Sequence, residues 1–412
     1  MQRQSWHCLR GKTKCCANVD RTMLPSYFCD MHIHIGGTWT GKPVKITASR
    51  QMTLTKILEE ASDKKGMDVI GIIDAHSPEV QDELVDLLEK GLATEQEDGG
   101  ISYKDTLLIL GCEVEIKEPG RGAAHFLVYL PKLQEMKQFT AWLSERCKNV
   151  QLSSQRIYTS LKELQACVHQ LQGLLIPAHI FTPHKGLYGS CTDSMVEVLD
   201  PSLIYAVELG LSANTFMADR ISELHDKTFL TNSDAHSLAK IGREYQSMYM
   251  QERSFAEWVK AIKRIGGRGV HVNYGLHPEL GKYHQTACQG CQSLLAADAS
   301  GKCPECGFQR IVRGVAARID QLADVEVGQH PAFRPPYIEQ IPLEFIPGIG
   351  PKLLDKLYRS FGTQMNVLHR VNEEELTHVV GEKIASLIVQ AREGKLSVQK
   401  GGAGTYGKII PM

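Results

Sequence analysis

Asp30, His32 and His34 alternate within the stretch FCDMHIHIGG, residues 28–37. In an extended strand alternate side chains share one face, so a strand here turns a carboxylate and two imidazoles the same way. Farther along, apolar runs end in the same residue types: Asp74 and His76, Glu113 and Glu115, His179, Glu208, then Asp234 and His236. Helix caps and turns account for single polar residues at such ends, but not for pairs spaced i, i+2 at several of them. Imidazoles and carboxylates without sulfur suit Zn²⁺, Mn²⁺ or iron in a hydrolytic site. More than four donors imply more than one ion. Paired ions about 3.5–4 Å apart share a carboxylate, clamp both oxygens of an in-line displacement and furnish hydroxide near neutral pH. The chemistry indicated is hydrolysis, of a phosphoester first and of an amide or lactone second.

Two further motifs carry chemistry. Cys288-x2-Cys291-x11-Cys303-x2-Cys306 is a pair of CxxC knuckles, the spacing of a tetrahedral thiolate site. Four thiolates close the coordination sphere, so this zinc is expected to be structural. His284 beside it reads as a turn residue. Arg310, Arg313 and Arg318 come directly after, either along a phosphate backbone or on a solvated face. The run FIPGIGPKLLDKLYRSFG, residues 345–362, predicts two helices meeting at Pro347–Gly350. It resembles a helix-hairpin-helix: Gly348 and Gly350 let backbone N–H groups approach a phosphate, and Lys352 adds a cation. The alternative is a plain helical hairpin.

The elements that must position these residues emerge from the pattern. From Tyr27 to about Asn273, short apolar runs alternate with helix-like stretches at Thr53–Lys65, Pro78–Lys90, Gln155–Gln172 and Phe255–Ile265. Some seven strands in about 250 residues predict an α/β barrel, largely parallel, with its polar strand ends converging on one mouth. The expected division is a metal-dependent phosphoesterase barrel at 23–276, a zinc ribbon at 277–330 and a helical DNA-binding domain at 331–412 with a Gly-rich tail. Residues 1–22 are basic and unlike the rest of the chain in composition. They are expected to be a disordered or spurious extension, with Met23 as the start, or a transit-type peptide.

With 42% apolar and 23% charged residues the chain is an ordinary globular protein, and no run of 18 apolar residues offers a membrane span. A net charge of −1 makes any nucleic-acid surface a local patch. Outside the CxxC pairs the cysteines lack framework spacing, which places the protein in a reducing, cytoplasmic compartment. Cys29 and Cys112 alternate away from the ligand face and read as small buried residues, not nucleophiles. His125, alone before FLVYL, suits a core histidine as well as a ligand, and His184 suits the surface. Segment 181–191 (FTPHKGLYGSC) is a candidate base pocket because it leaves a strand end with aromatic, basic and glycine residues.

The motif order Asp30-Met-His32-Ile-His34, Asp74-Ala-His76, Gly111-Cys-Glu113, His125, Pro177-Ala-His179 and Ser233-Asp234-Ala-His236 resembles that of the polymerase-and-histidinol-phosphatase (PHP) domain. The phrases SRQMTLTKILEEASDKKGMDVIGIIDAHSP, FTPHKGLYG, ELGLSA and NSDAHSLAKIGREY are similar to the endonuclease Q family within it. The resemblance implies a distorted (β/α)7-type barrel with two or three ions, Zn²⁺ first and Mn²⁺ or Mg²⁺ as alternatives. It implies that His32, His34, Glu113 and Asp234 hold one ion, and that Glu113 bridges to a second on His125 and His179. His236, with Asp74 or His76, would complete a third. Asp234, Glu113 and His236 are then the catalytic candidates, and Arg310, Arg313, Gly348, Gly350 and Lys352 the nucleic-acid contacts. One departure touches the third ion: many relatives carry a histidine shortly after His-x-His, whereas here the loop IGGTWTGKPVKITASR has none.

The function implied is a DNA repair endonuclease. It would bind double-stranded DNA and cut 5′ to hypoxanthine, uracil, xanthine or an abasic site, taking the lesion out of the stack. A sliding clamp is left open as a partner. The alternatives are a small-molecule phosphatase of the histidinol-phosphatase kind and a non-catalytic DNA-binding protein.

Overall fold

A computed structural model describes residues 24–396, 398, 399, 406, 408 and 409; the expectation for 1–22 lies outside the described residues. Seven strands make a ring: Ser26–Ile33, Val69–Ile72, Thr106–Lys117, Ala123–Leu130, Leu174–Pro177, Ala206–Glu208 and Thr228–Leu230. The first five pair in that order, and the last two pair with each other. Ile180 N–H donates to Glu208 O at 2.9 Å, which joins the two groups. The ring shuts where Ala235 N–H donates to His32 O and His34 N–H donates to Ala235 O, each at 3.1 Å. This is the distorted α/β barrel expected from the sequence.

Its sheet is mixed rather than largely parallel. Thr106–Lys117, Ala123–Leu130 and Leu174–Pro177 run antiparallel in turn. The link 118–122 is too short for the crossover that a parallel pair needs. Tyr245–Tyr249 and Gly269–Gly275 extend the sheet from the outer edge of Ser26–Ile33. Cys29 and Met31, facing away from His32, pack with Val69, Ile73, Leu127, Tyr129 and Trp258. Burying Trp258 and Tyr129 together is worth several kcal/mol, on the order of 2–3 each, and it fixes the strand whose opposite face carries the histidines.

The helices fall near their expected places, at Leu54–Glu59 with a continuing π turn to Lys65, Pro78–Glu89 and Phe255–Ile262. The helix expected from Gln155 begins at Leu161 instead. Ser160 accepts from Glu163 N–H while Glu163 reaches back to the Ser160 N–H, a capping box that sets the start. Leu133–Ser144, which the sequence pattern did not single out, covers the hairpin of strands.

The cysteine segment is a small two-stranded piece, Ala287–Cys288 against Ile311–Val312. Helix Val315–Leu322 comes next, and its Arg318 donates to Tyr188 O at 2.6 Å and Thr192 O at 3.2 Å. Arg318 therefore clamps this helix to the barrel and is no free phosphate contact. Tyr337–Glu339 then joins the barrel sheet, parallel to Gly269–Gly275. Helices Pro351–Phe361, Gln364–His369, Glu373–Val380 and Glu382–Arg392 make up the helical C-terminal part. Lys65 ties them to the barrel by donating to Gln364 Oε1 at 2.8 Å and Ala239 O at 2.7 Å. Among the described residues no helix is long and apolar enough to cross a membrane.

Candidate metal centre

His32 and His34 extend from the end of the first strand into the mouth of the ring, both fully buried. Each is held from behind by a carboxylate. His32 Nδ1 donates to Glu208 Oε2 at 2.9 Å, and His34 Nδ1 donates to Asp74 Oδ2 at 3.0 Å. That fixes the tautomer and leaves Nε2 of both rings buried with no hydrogen-bond partner. A carboxylate behind an imidazole is the usual support of a metal-ligating histidine.

In front of the two rings lie Glu113 and Asp234. His32 Nε2 is 3.4 Å from Asp234 Oδ1 and 3.7 Å from Glu113 Oε1. His34 Nε2 is 3.5 Å from Asp234 Oδ1 and 3.7 Å from Glu113 Oε2. Ligands about 2.1 Å from one ion in a tetrahedron stand about 3.4 Å apart. The separations to Asp234 match that spacing and those to Glu113 are slightly wider. His32, His34 and Glu113 are close enough to share an ion, and Asp234 groups with His34 and His236. The carboxylates of Glu208 and Asp234 outweigh burial and lift the His32 pKa to about 10, a measure of how strongly this pocket draws positive charge.

Glu113 Oε1 also faces His125 Nδ1 at 2.8 Å and His179 Nε2 at 3.3 Å, a second donor group sharing the same carboxylate. Burial works against ionised Glu113, but His125 and Lys45 hold its carboxyl well below the usual range. His34, Asp234 and His236 form a third group. His236 Nδ1 donates to Asp234 O at 2.9 Å, which turns Nε2 outward as a lone-pair donor. Burial lowers the His236 pKa to about 4, so the ring is neutral near pH 7.

The backbone is bent to bring these groups together. His179 and Asp234 sit at φ values of 30° and 45°, a left-handed region that non-glycine residues rarely adopt and that concentrates at functional sites. Gly210 supplies the room. Its φ is +77°, and a Cβ there would stand 2.8 Å from His179 Cβ.

The structure thus brings together His32, His34, Glu113, His125, His179, Asp234 and His236, and it does not bring Asp74 and His76 to them. Asp74 stands behind His34 and also accepts from Ile35 N–H at 2.8 Å. His76 is buried and donates Nε2–H to Leu152 O at 3.3 Å. The placement expected for that pair is corrected on these grounds: their strand end lies one layer outside the donors. Asp30 is structural, accepting from Ser233 N–H at 3.0 Å and Gly242 N–H at 2.9 Å.

Three groups are not marked as site residues by the sequence. Glu208 ends an apolar run, but its role there is not legible; besides His32 it accepts from His179 N–H at 3.1 Å and Asn232 Nδ2 at 2.9 Å. Lys45, from the loop that lacks the extra histidine, donates to Glu113 Oε2 at 3.0 Å. Ser154 donates to the same oxygen. Nothing in the pattern around Lys45 or Ser154 points to either.

Cys288 Sγ lies 3.6 Å from Cys306 Sγ, and Cys291 Sγ 3.7 Å from Cys303 Sγ. Tetrahedral thiolates at about 2.3 Å from zinc stand about 3.8 Å apart, so the four sulfurs fit a closed zinc site. His284 is outside it, bonded to Ser212 O. Arg310 and Arg313 are exposed beyond this ribbon, with Arg313 donating to Gln321.

Gly348, Gly350 and Lys352 lie at the start of helix Pro351–Phe361, with Gly350 and Lys352 exposed. Gly348 has φ +92°, and a Cβ would stand 3.0 Å from Ile384 Cδ1. The arm before them is only the 3₁₀ turn Leu343–Phe345, shorter than the helix expected. In segment 181–191, Phe181 and Tyr188 are fully buried and stacked on each other at 5.9 Å, so the expected base pocket has no free aromatic ring there. Thr182 and Lys185 of that segment do reach the cavity of about 640 Å³ above the donors.

Residues 213–264 match the family described as PHP-associated. The chain is 53% identical over 386 residues to the uncharacterized protein YqxK of Bacillus subtilis strain 168, covering 93% of this chain and 99% of that one. Its structure is similar to that of the lesion-specific endonuclease PfuEndoQ from Pyrococcus furiosus, with a TM-score of 0.80 and 33% identity over 94% of this chain and 96% of that one. The chain belongs to the endonuclease Q family. Endonuclease Q solved in complex with a 27-mer duplex carrying an abasic lesion at its active site is similar as well, with a TM-score of 0.81 and 33% identity over 94% of this chain and 97% of that one. In this family setting, the donors at the barrel mouth and the four-cysteine ribbon belong to one chain.

Proposed function

We propose that this protein is a metal-dependent DNA repair endonuclease, hydrolysing the phosphodiester backbone 5′ to a deaminated base (hypoxanthine, uracil or xanthine) or an abasic site. The observation that carries the reading is the pair of buried, unpartnered Nε2 atoms of His32 and His34, which face Asp234 Oδ1 at 3.4 Å and 3.5 Å and the Glu113 carboxylate at 3.7 Å. These four would hold one ion, Glu113 with His125 and His179 a second, and His34, Asp234 and His236 offer a third position. Zn²⁺ fits the nitrogen-rich donors, with Mn²⁺ or Mg²⁺ as alternatives. When bound, the ions supply Lewis acidity and a nucleophile at neutral pH.

The chain's own residues do the rest. Glu208 and Asp74 hold His32 and His34 in one rotamer and tautomer. Lys45, beside Glu113, carries a positive charge towards the transferring phosphoryl group. Where no ion fills the third position, His236, neutral and with Nε2 open to the cavity, can take a proton from the attacking water or return one to the 3′ oxygen. With an ion there, the same nitrogen is a ligand and carries no proton. Gly348, Gly350 and Lys352, with Arg310 and Arg313, lie on surfaces suited to phosphate contacts that carry no sequence information.

A nicking assay tests the reading, using labelled duplexes that are plain or carry deoxyuridine, deoxyinosine or an abasic site. Cutting confined to the lesion-bearing strands, with the nick mapped 5′ to the lesion, is expected. Inertness on all of them with turnover of a soluble phosphoester would favour the small-molecule phosphatase and end the nuclease reading.

A further inference from the structure

One wall of the cavity over the metal donors comes from the far end of the chain. Short strands Val398–Gln399 and Lys408–Ile409 pair antiparallel, and Tyr406 lies in the connection between them. Its ring lines the same cavity as Asp234 and His236. Three cations gather around that ring: the Lys282 ammonium 4.7 Å from its centroid, the Arg243 guanidinium carbon at 5.5 Å and the Lys240 ammonium at 6.0 Å. Arg243 Nη1 donates to the Tyr406 hydroxyl at 2.8 Å, and its Nε donates to Ser233 O at 2.7 Å.

Lys45 and Lys185, which line the same cavity, are paired with the carboxylates of Glu113 and Glu115. Lys240, Arg243 and Lys282 form no ion pair among the described residues. Burial and its two cationic neighbours depress the Lys240 pKa, the signature of mutual repulsion. Three like charges held together at a cavity rim are favourable only when an anion joins them. Arg243 Nη2 also lies 3.4 Å from Asp234 O, so an anion at the trio is the immediate neighbour of whatever the metal donors hold.

We infer that Lys240, Arg243 and Lys282, collected around Tyr406, form a subsite for the backbone phosphate adjacent to the scissile one. Tyr406 is its positioning residue: the hydroxyl fixes the guanidinium and the ring seats the two ammonium groups. The C-terminal strand pair is then part of the substrate site. This inference rests on the nuclease reading and adds which groups grip the strand beside the cut.

The test uses the full chain, an abasic-site duplex and versions of it with one neutral methylphosphonate at each phosphate near the lesion. Lys282→Gln is expected to raise KM about tenfold, as loss of one charge-assisted phosphate contact does, and to lower the salt slope of binding by about one. A methylphosphonate at one flanking position should weaken binding to the wild type and cost Lys282→Gln less, because only Lys240 and Arg243 still grip that phosphate. Tyr406→Phe keeps the ring and loses the Arg243 bond; Tyr406→Leu loses both and should raise KM more. An unchanged KM and salt slope in Lys282→Gln, or methylphosphonate penalties that add to it at every position, overturns the subsite while wild-type cutting keeps the nuclease reading intact. A wild-type protein that cuts no lesion-bearing duplex overturns both.

Discussion

Asp74→Asn separates a ligand from a residue that holds one. Asp74 Oδ2 accepts from His34 Nδ1 at 3.0 Å and from Ile35 N–H at 2.8 Å, while Oδ1 is buried with no partner. Asparagine keeps the shape and one acceptor. It can turn its oxygen to the Oδ2 position and preserve both bonds, but the charge goes and an NH₂ replaces the unpartnered oxygen. Replacing a charged acceptor by a neutral one roughly halves a bond of about 1.5–3 kcal/mol, a loss of about 1 kcal/mol. Removing the carboxylate behind a ligating histidine commonly costs about 10–100-fold in metal affinity, about 1.4–2.7 kcal/mol, so the loss expected for the isosteric asparagine lies just below the low end of that range. The buried, unsatisfied NH₂ should cost about a further 1–3 kcal/mol of folding stability. The assay is twofold: metal stoichiometry by elemental analysis at saturating zinc, and affinity by competition with a chelating dye. The expected result is wild-type stoichiometry with affinity weakened at the His34 position only. A variant that binds one ion fewer at saturation, with the rest undisturbed, would refute the placement of Asp74 behind the ring and make it a ligand.

Gly350→Glu should fold normally, since a Cβ there meets nothing within 4 Å, yet weaken duplex binding and flatten its salt dependence at unchanged metal content; wild-type binding would demote the motif to a structural turn. Cys303→Ser should remove one zinc per chain and lower the melting temperature while leaving the barrel ions in place, checked by elemental analysis and thermal unfolding. Burial pushes the Glu244 carboxyl up to about 8, with Oε1 accepting from Leu276 N–H and Oε2 unpartnered. The native state therefore keeps a proton that the unfolded chain releases above about pH 4.5, so this group's contribution falls as pH rises from about 4.5 to 8. Glu244→Gln, which retains the acceptor, should match wild type near pH 5 and exceed its stability near pH 8.5 by a few kcal/mol, about 5 at most; equal melting curves at both pH values would exclude the shift.

Much of the site was legible because many of its donors lie at or just past strand ends, although Glu113 and His125 sit within Thr106–Lys117 and Ala123–Leu130. A period of two places His32 and His34 on one face, and polar ends of apolar runs converge wherever strands form a ring. The four cysteines were legible for a simpler reason: CxxC spacing brings two sulfurs to one ion with no help from the rest of the fold. The mixed sheet was less so. Only the shortness of 118–122 signals the antiparallel hairpin, and a strand–helix alternation elsewhere in the chain masks it.

What the sequence alone determined is the inventory: which residue types could bind metal, at which strand ends, and that a closed thiolate site comes after the barrel. Which carboxylate serves which histidine was decided only in three dimensions. Asp30, Asp74, Glu113 and Glu208 look alike as strand-end acids, yet one is a shared donor, two orient His32 and His34, and one fastens the loop at Ser233 and Gly242. Lys45 reaches Glu113 across 68 positions, and Arg243 reaches Tyr406 across 163. Contacts at such separation depend on how the whole ring closes and on where the last strands return. No local period or spacing carries that information, because the free energy that fixes them comes from packing between elements and not from propensities within any one of them.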